Sequence, residues 1–301
     1  MPENATDTRC GFIAAIGAPN AGKSTLVNAL VGAKVSIVSR KVQTTRMTLR
    51  GIAIEGPSQL VFIDTPGIFA PRRRLDRAMV DAAWSGAVDA DQLMLVVDAA
   101  KGVDEDVERI LGRLKDVRAP VLLVLNKVDL VAKPKLLPLM ERYGKAHPFA
   151  EIVPVSAVDG TNVDVLERLF LQYLPEGAPL YPADYLTDQP ERVLAAELVR
   201  EQVLRLTHAE LPFSTAVVID RFEEPGDHDK VLRLYCTILV DRESQKGIVI
   251  GKGGAMIKAI GTAARLELER VFGTKVFLDL HVKVSREWRD DERLLDDIGL
   301  R

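Results

Sequence analysis

Short apolar runs alternate with longer amphipathic runs along the first 174 residues. Each apolar run holds four to six residues, rich in Val, Ile and Leu, as expected for parallel strands that are covered on both faces. The predicted strands are 12–17, 60–64, 93–98, 121–126 and 152–155. The predicted helices are 23–31, 75–88, 104–115, 134–147 and 163–173, with Asp104 and Asn162 as helix N-caps. This alternation predicts an α/β fold with a doubly wound sheet.

The composition changes after residue 174, where prolines and a glycine interrupt both helical and strand patterns. We therefore predict a first domain at 1–174, a linker at 175–189 and a smaller α+β domain at 190–301. The second domain is expected to contain a helix at 192–206, strands at 215–221 and 231–241, a glycine-rich segment, a long helix ending near 271 and a strand at 275–284.

Composition narrows the class of protein. The chain has 301 residues, 47% hydrophobic and 28% charged, with a formal net charge of −3, which excludes a disordered or uniformly basic protein. Cys10 and Cys236 are the only cysteines in the sequence, so we do not expect a disulfide framework. We expect a reducing, cytoplasmic location. The polar N-terminus does not resemble a signal peptide, and no apolar run is long enough to cross a membrane.

A phosphate-binding loop follows the first predicted strand. Residues 17–24 fit the motif G-x-x-x-x-G-K-S and lead into a predicted helix, which is the context that this motif requires. Its backbone N–H groups would face phosphate oxygens, Lys23 would reach the β- and γ-phosphates, and the Ser24 hydroxyl would bind Mg²⁺. The alternative is a chance glycine-rich turn. The predicted nucleotide contacts here are Gly17, Ala18, Pro19, Asn20, Ala21, Gly22, Lys23, Ser24 and Thr25.

A second motif, Asp64-Thr65-Pro66-Gly67, ends the strand at 60–64. A carboxylate at the tip of this strand can hold Mg²⁺ through water, and the Gly67 N–H can contact the γ-phosphate. By itself this could be an ordinary Pro-Gly turn. Its position after a phosphate loop favours a nucleotide site. We include the next residue, Ile68, among the predicted nucleotide contacts.

The segment Asn126-Lys127-Val128-Asp129 indicates guanine as the base. The Asp129 carboxylate can accept hydrogen bonds from guanine N1–H and N2–H₂, donors that adenine does not offer. The Lys127 stem can lie over the base, and Asn126 can tie the loops together. Further on, Ser156 and Ala157 are expected to present a backbone N–H to guanine O6. A polar loop, or a phosphotransferase that prefers ATP, is the alternative interpretation.

These motifs, in this order, resemble the translation-factor class of GTPases over residues 10–174. The resemblance implies binding of GTP and GDP, Mg²⁺ dependence and GTP hydrolysis. It also implies a switch threonine in Lys41-Val42-Gln43-Thr44-Thr45-Arg46, where Thr45 is preferred and Thr44 is the rival. The predicted catalytic residues are Lys23, Thr45, Asp64 and Gly67, and the predicted Mg²⁺ ligands are Ser24, Thr45 and Asp64.

Ile68 stands where many GTPases place a glutamine that orients the attacking water. An aliphatic side chain cannot do this, so the chain resembles the subclass with a hydrophobic residue at this position. Asn20 matches members of that subclass that use K⁺ near the phosphates. Potassium dependence is therefore a hypothesis.

In the second domain, the segment Gly251-Lys252-Gly253-Gly254 resembles the G-x-x-G loop of a type II KH domain. Such glycines let a nucleic-acid backbone approach closely. Residues 230–286 contain 11 Lys and Arg residues and 5 acidic residues, so this stretch is basic. The longer stretch 184–301 contains 18 Lys and Arg residues and 22 acidic residues, so it is net acidic. A basic groove confined to part of the domain favours binding of single-stranded RNA over nonspecific binding along a nucleic-acid duplex. The predicted RNA contacts are Lys246, Gly251, Lys252, Gly253, Gly254 and Lys258.

A GTPase domain of this subclass followed by a KH domain resembles the Era family of bacterial GTPases over nearly the whole chain. The resemblance implies binding to the 3′ end of 16S ribosomal RNA, a role in 30S subunit assembly and peripheral contact with the inner membrane. A monomer is also expected. An RNA-binding scaffold in which GTP is only a structural or regulatory ligand stays open as the alternative function.

Overall fold

A computed structural model describes residues 8–39, 41, 44–71, 74–207, 211, 215–226, 229–286 and 288. This part of the chain forms two compact units. The first contains the residues up to Ser36 together with 45–188, and the second contains 37–44 together with the residues from Gln189 onward. Among the residues so described, no helix combines the length and the apolarity needed to cross a bilayer.

A six-stranded sheet forms the centre of the first unit. Its strands are β1 (Cys10–Ile16), β2 (Leu49–Glu55), β3 (Ser58–Asp64), β4 (Gln92–Asp98), β5 (Val121–Asn126) and β6 (Glu151–Val155). Their order in the sheet is β2-β3-β1-β4-β5-β6. Neighbouring strands are parallel except for β2 and β3. The helices are α1 (Lys23–Val31), α2 (Arg74–Val88), α3 (Glu105–Leu114), α4 (Leu136–Ala146) and α5 (Val163–Tyr173). The predicted α/β class is confirmed.

Side chains of the central strands alternate between two cores. In β4, Leu93, Leu95 and Val97 enter one core, whereas Met94 and Val96 enter the other. Because helices cover both faces of the sheet, each strand needs a continuous apolar run. The parallel pairing also gathers the C-terminal ends of the strands at one edge, which is where open α/β sheets bind ligands.

The edge strand β2 was not predicted. Its sequence, Leu-Arg-Gly-Ile-Ala-Ile-Glu, is interrupted by a charge and a glycine, and Arg50, Ile54 and Glu55 are exposed. An antiparallel strand at the edge of a sheet is only partly covered, so it does not carry the continuous apolar run that marks the central strands.

The two predicted N-caps have different outcomes. The Val107 N–H donates to Asp104 Oδ1 at 2.9 Å, so the cap at Asp104 is confirmed. Asn162 does precede α5, but it has φ 58° and its side chain makes no cap hydrogen bond. Its amide donates instead to Pro154 O at 2.8 Å. The predicted N-cap position at Asn162 is therefore confirmed, although its side chain does not bond the free N–H groups of α5.

The second unit places its helices over a three-stranded sheet. The elements are α6 (Glu191–Leu206), β7 (Ala216–Glu223), β8 (Val231–Val240), α7 (Glu243–Ile250), α8 (Ala255–Phe272) and β9 (Lys275–Val284). In the sheet, β8 lies between β7 and β9, antiparallel to β7 and parallel to β9. Apolar side chains from the sheet, α6 and α8 form the core of this unit. The short helix α7 was not predicted. The predicted smaller α+β fold is confirmed.

The segment 37–44, from the first half of the sequence, belongs to the second unit. Ile37 is fully buried in the core of that unit. The Val38 N–H donates to Glu201 Oε1 on α6 at 2.9 Å. The chain therefore leaves the first unit after Ser36 and re-enters it at Thr45.

The proline-containing segment 175–189 is bonded to the first unit along most of its length. The Tyr181 N–H donates to Gln59 Oε1 at 2.9 Å, and the Ile52 N–H donates to Leu186 O at 2.9 Å. These bonds explain why the first unit extends to Asp188.

Candidate functional site

Two backbone carbonyl groups of the loop between β1 and α1 bind the side chain of Lys23. Lys23 is 6% exposed, and its Nζ donates to Gly17 O at 3.0 Å and to Ala18 O at 3.1 Å. Burial lowers the pKa of Lys23 to about 8, and the nearby Asp64 carboxylate opposes that shift. A phosphate group placed in this loop would compensate the buried ammonium charge and meet the N–H groups that begin α1.

Glycine is required at position 22 of this loop. Gly22 has φ 96°, in the left-handed region that side chains disfavour. A Cβ at this position would lie 2.2 Å from Asn126 Nδ2. The absence of a side chain thus lets the phosphate loop approach the predicted base-recognition loop, residues 126–129, whose Asn126 amide donates to Ala21 O at 2.9 Å.

Three hydroxyl groups gather at the Asp64 carboxylate, which ends β3. Asp64 Oδ2 accepts hydrogen bonds from Ser24 Oγ at 2.7 Å and from Ser36 Oγ at 2.6 Å. Thr45 Oγ1 lies 2.8 Å from Ser24 Oγ. Burial raises the pKa of Asp64, whereas the hydrogen bonds and the Lys23 ammonium act in the opposite direction.

The donor set at Asp64 fits Mg²⁺. Among the residues that the structure describes, the buried Asp64 Oδ1 has no hydrogen-bond partner. Leaving a buried carboxylate oxygen without a partner costs free energy, and a cation would remove that cost. Mg²⁺ takes hard oxygen ligands, with waters and phosphates completing its octahedron. Ser24, Thr45 and Asp64 supply two hydroxyls and one carboxylate of this type.

Thr44 and Thr45 have different surroundings. Thr45 is buried beside Ser24. Thr44 belongs to the second unit, where its Oγ1 donates to Lys41 O at 2.7 Å and lies 2.6 Å from Ser39 Oγ. Of the two threonines left open by the sequence, the structure brings Thr45 to the other proposed Mg²⁺ ligands. Residues 42 and 43 of the predicted switch motif lie outside the described residues.

The segment after Asp64 lies against the phosphate loop. Thr65 Oγ1 donates to Ala15 O at 2.7 Å, and the Ile68 N–H donates to Gly17 O at 3.0 Å. Gly67 packs so closely on Pro19 that a Cβ there would lie 2.9 Å from Pro19 Cα. The Ile68 side chain is buried in the core, where it has no means of orienting a water molecule.

The base-recognition loop is held together by polar contacts. Asn126 Oδ1 accepts from the Lys127 N–H at 2.8 Å and from the Ala157 N–H at 3.1 Å. Ser156 Oγ donates to Asp129 Oδ1 at 2.8 Å and so orients that carboxylate. The Ala157 N–H, expected at guanine O6, is thus already bonded to Asn126. In the same loop, Val128 packs against the core. Thr25, the last predicted contact of the phosphate loop, follows Ser24 in the first turn of α1.

Two site residues were not predicted from the sequence. Ser36 reaches Asp64 across 28 positions, and no local motif marks it. Asp98 ends β4, and its Oδ2 accepts from Lys127 Nζ at 2.7 Å. A usable signal did exist for Asp98, because it is a polar residue at the end of a predicted strand, as Asp64 and Asn126 are.

The predicted RNA loop joins α7 to α8 in the second unit. Gly251, Gly253 and Gly254 have φ of 73°, 60° and 79°. Lys252 and Gly253 are exposed, and a Cβ at Gly253 would have nothing within 4 Å, so the backbone here is open to a ligand. Of the other predicted contacts, Lys258 is exposed on α8 and Lys246 is half-buried on α7.

Two family descriptions match the chain: a 50S ribosome-binding GTPase over residues 12–127 and a KH domain over residues 210–289. The GTPase Era of Afipia carboxidovorans is 52% identical over 301 residues, which cover 100% of this chain and 97% of that protein.

The chain belongs to the Era family of GTPases. The GTPase Era of Bradyrhizobium diazoefficiens is 52% identical over 97% of this chain and 94% of that protein. A crystal structure of Era in complex with MgGDPNP and nucleotides 1506–1542 of 16S ribosomal RNA matches with a TM-score of 0.92 at 43% identity, over 97% of this chain and 99% of that one. A point variant of Aquifex aeolicus Era bound to GDP·AlF4⁻ matches over the same shares with a TM-score of 0.91, also at 43% identity. As an Era-family enzyme, the protein hydrolyses GTP.

Proposed function

We propose that this GTPase is a nucleotide-dependent switch that binds the 3′ region of 16S rRNA and assists 30S subunit assembly. The observation that carries the proposal is the combination, in one chain, of a guanine-nucleotide site and an open glycine loop next to lysines. An Era structure with the same architecture binds MgGDPNP and 16S nucleotides. In this proposal residues 1–174 are the GTPase domain, 175–189 the linker and 190–301 the KH-type RNA-binding domain.

The proposed nucleotide site binds GTP and GDP with Mg²⁺. The loop from Gly17 to Thr25 surrounds the phosphates, and Lys23 and the Gly67 N–H contact the γ-phosphate. Ser24, Thr45 and Asp64 hold Mg²⁺, which when bound offsets the charge that develops as water attacks the γ-phosphate in line. Asp129 accepts from the guanine N–H groups. The remaining proposed contacts are Thr65, Pro66, Ile68, Asn126, Lys127, Val128, Ser156 and Ala157.

Potassium is proposed as a second cation, near Asn20. The buried Ile68 does not orient the attacking water, so another group must supply that function. Asn20 has φ 62° and lies in the proposed phosphate loop. Turnover of GTP in potassium buffer should exceed turnover in sodium buffer at the same ionic strength. Equal rates would contradict this part of the proposal.

The segment 37–44 supports coupling between nucleotide and RNA binding. Its neighbours Ser36 and Thr45 lie at the proposed Mg²⁺ ligands. Within the segment, Lys41 Nζ donates to Thr207 O at 2.9 Å, next to α6 of the second unit. Because the chain is continuous, a change of Mg²⁺ coordination at Thr45 is transmitted to a segment that is part of the RNA-binding unit.

The test measures the affinity of the full-length protein for an RNA equivalent to nucleotides 1506–1542 of the Era complex, loaded with GDPNP or GDP. We expect affinities that differ by about tenfold between the two nucleotides, which is an ordinary coupling between two sites. Gly253→Asp should reduce RNA affinity at least about tenfold, through charge repulsion at the backbone-binding loop. Gly273→Asp is the matched control, because Gly273 also has a positive φ and open space around it.

Three results would each contradict a part of the proposal. Equal RNA affinity with GDPNP and GDP would leave an RNA-binding scaffold in which GTP is a structural ligand. Equal effects of Gly253→Asp and Gly273→Asp would remove the G-x-x-G loop from the RNA site. GTP turnover by Lys23→Ala at the wild-type rate would contradict the assignment of the phosphate loop.

We propose a cytoplasmic, monomeric protein, with peripheral contact at the inner membrane on the family resemblance alone. Sedimentation with inner-membrane vesicles tests the contact. Recovery of the protein only in the supernatant would contradict it.

A further inference from the structure

Asp98 and Lys127 form an ion pair beside the proposed guanine site. Lys127 Nζ lies 2.7 Å from Asp98 Oδ2 and donates to Asn20 O, also at 2.7 Å. The Asp98 side chain is 10% exposed and that of Lys127 is 27% exposed. The pair is therefore less screened by solvent than a surface ion pair.

We propose that Asp98 is a positioning residue for guanine recognition, and that it acts by holding Lys127. This inference rests on the proposed nucleotide site and adds to it a residue that no motif in the sequence assigns. Asp98 does not contact the base. It fixes the side chain on which the base is expected to lie.

Lys127 is held at both ends. At the backbone, its N–H donates to Asn126 Oδ1 at 2.8 Å, and its φ of 65° places it in the left-handed region. At the other end, the ammonium is bonded to Asp98 and Asn20. A Cβ at Gly22 would lie 3.8 Å from Lys127 Cε, so the stem passes beside the phosphate loop.

Holding the stem in place before the nucleotide arrives increases affinity. A lysine side chain loses much rotamer freedom when it becomes ordered. Here two hydrogen bonds order it within the folded protein, so the base does not have to order it on binding. Without the Asp98 carboxylate, the ammonium keeps only the neutral Asn20 carbonyl, and the stem becomes free to leave its position.

A purely structural role for Asp98 is the competing explanation. Its other oxygen, Oδ1, accepts from the Ala100 N–H at 3.0 Å and so stabilises the turn after β4. Asp98→Asn separates the two roles, because the amide oxygen still accepts from Ala100 while the negative charge is removed. Asp98→Ser serves the same purpose with a hydroxyl acceptor if the asparagine variant does not fold.

The experiment is a double-mutant cycle on the full-length protein. GDP affinity is measured for the wild type, Asp98→Asn, Lys127→Met and the double variant. We expect Asp98→Asn to lower the affinities for GDP and for GTP equally, by about tenfold, so that the loss appears in KM and not in kcat. In the Lys127→Met background, Asp98→Asn should have no further effect. Asp106→Asn is the matched control, since Asp106 forms an exposed ion pair with Arg109 on α3.

Each outcome decides the inference. Wild-type affinity in Asp98→Asn would overturn it. So would a full tenfold loss from Asp98→Asn in the Lys127→Met background, because Asp98 would then act independently of Lys127. A melting temperature lowered by Asp98→Asn with unchanged GDP affinity would assign Asp98 to the turn alone. Failure of the proposed nucleotide site itself would look different, since Lys127→Met would then have no effect.

Discussion

At the scale of single residues, Thr44 and Thr45 are adjacent in sequence but differ in surroundings. Thr45 lies beside Ser24 at the Asp64 carboxylate, whereas Thr44 is bonded to Lys41 and Ser39. Residue type cannot separate two neighbouring threonines. Their different partners make them a matched pair for testing the metal site.

Thr45→Ala should raise the Mg²⁺ concentration needed for half-maximal GTP turnover by at least about tenfold, because one oxygen ligand is lost. Thr44→Ala should leave that concentration unchanged. A magnesium titration of GTP hydrolysis for both variants measures the difference. The assignment of Thr45 fails if Thr44→Ala has the larger effect.

At the scale of elements, the start of α3 shows a side chain that fixes a helix boundary. The Asp104 carboxylate accepts from the Val107 N–H, one of the amides that a helix leaves without an internal partner. Three further acidic residues in the first turn, Glu105, Asp106 and Glu108, complement the positive end of the helix.

Asp104→Ala should lower the free energy of unfolding by about 1 kcal/mol, the usual cost of removing an N-cap. Asp104→Asn is the control, because asparagine is an equally good cap, and its stability should stay within a few tenths of a kcal/mol of the wild type. Urea denaturation of the three proteins measures this. A loss of equal size in both variants would show that the charge of Asp104, and not its cap hydrogen bond, stabilises α3.

At the scale of the whole molecule, the segment 37–44 is part of the second unit although both of its neighbours in sequence lie at the proposed Mg²⁺ site. Glu201, fully buried on α6, accepts from the Val38 N–H. This contact holds the segment in the RNA-binding unit.

Glu201→Ala should remove most of the expected tenfold difference in RNA affinity between the GDPNP and GDP forms, because the segment loses a bond to α6. Glu191→Ala, at the start of the same helix, is the control and should keep the difference. RNA binding titrated with each nucleotide measures both. If Glu201→Ala retains the full difference, the bond between Val38 and Glu201 does not transmit the nucleotide state.

The central fold and the motif residues of the site could be predicted from sequence because each depends on short stretches of chain. The central strands of the first unit are continuous apolar runs, since both faces of the sheet are covered. The phosphate loop is contiguous, and its geometry follows from the strand before it and the helix after it. The edge strand β2 escaped prediction because partial exposure leaves it without that pattern.

The sequence by itself determined the α/β and α+β architecture and the positions of the phosphate loop and of the proposed guanine-recognition motif, because local patterns encode all of them. Only the tertiary structure decided that Thr45 lies with Ser24 and that Ser36 joins Asp64. It alone placed Asp98 at Lys127 and residues 37–44 in the second unit. These features depend on contacts between residues far apart in the chain, and only packing of the folded core brings such residues together.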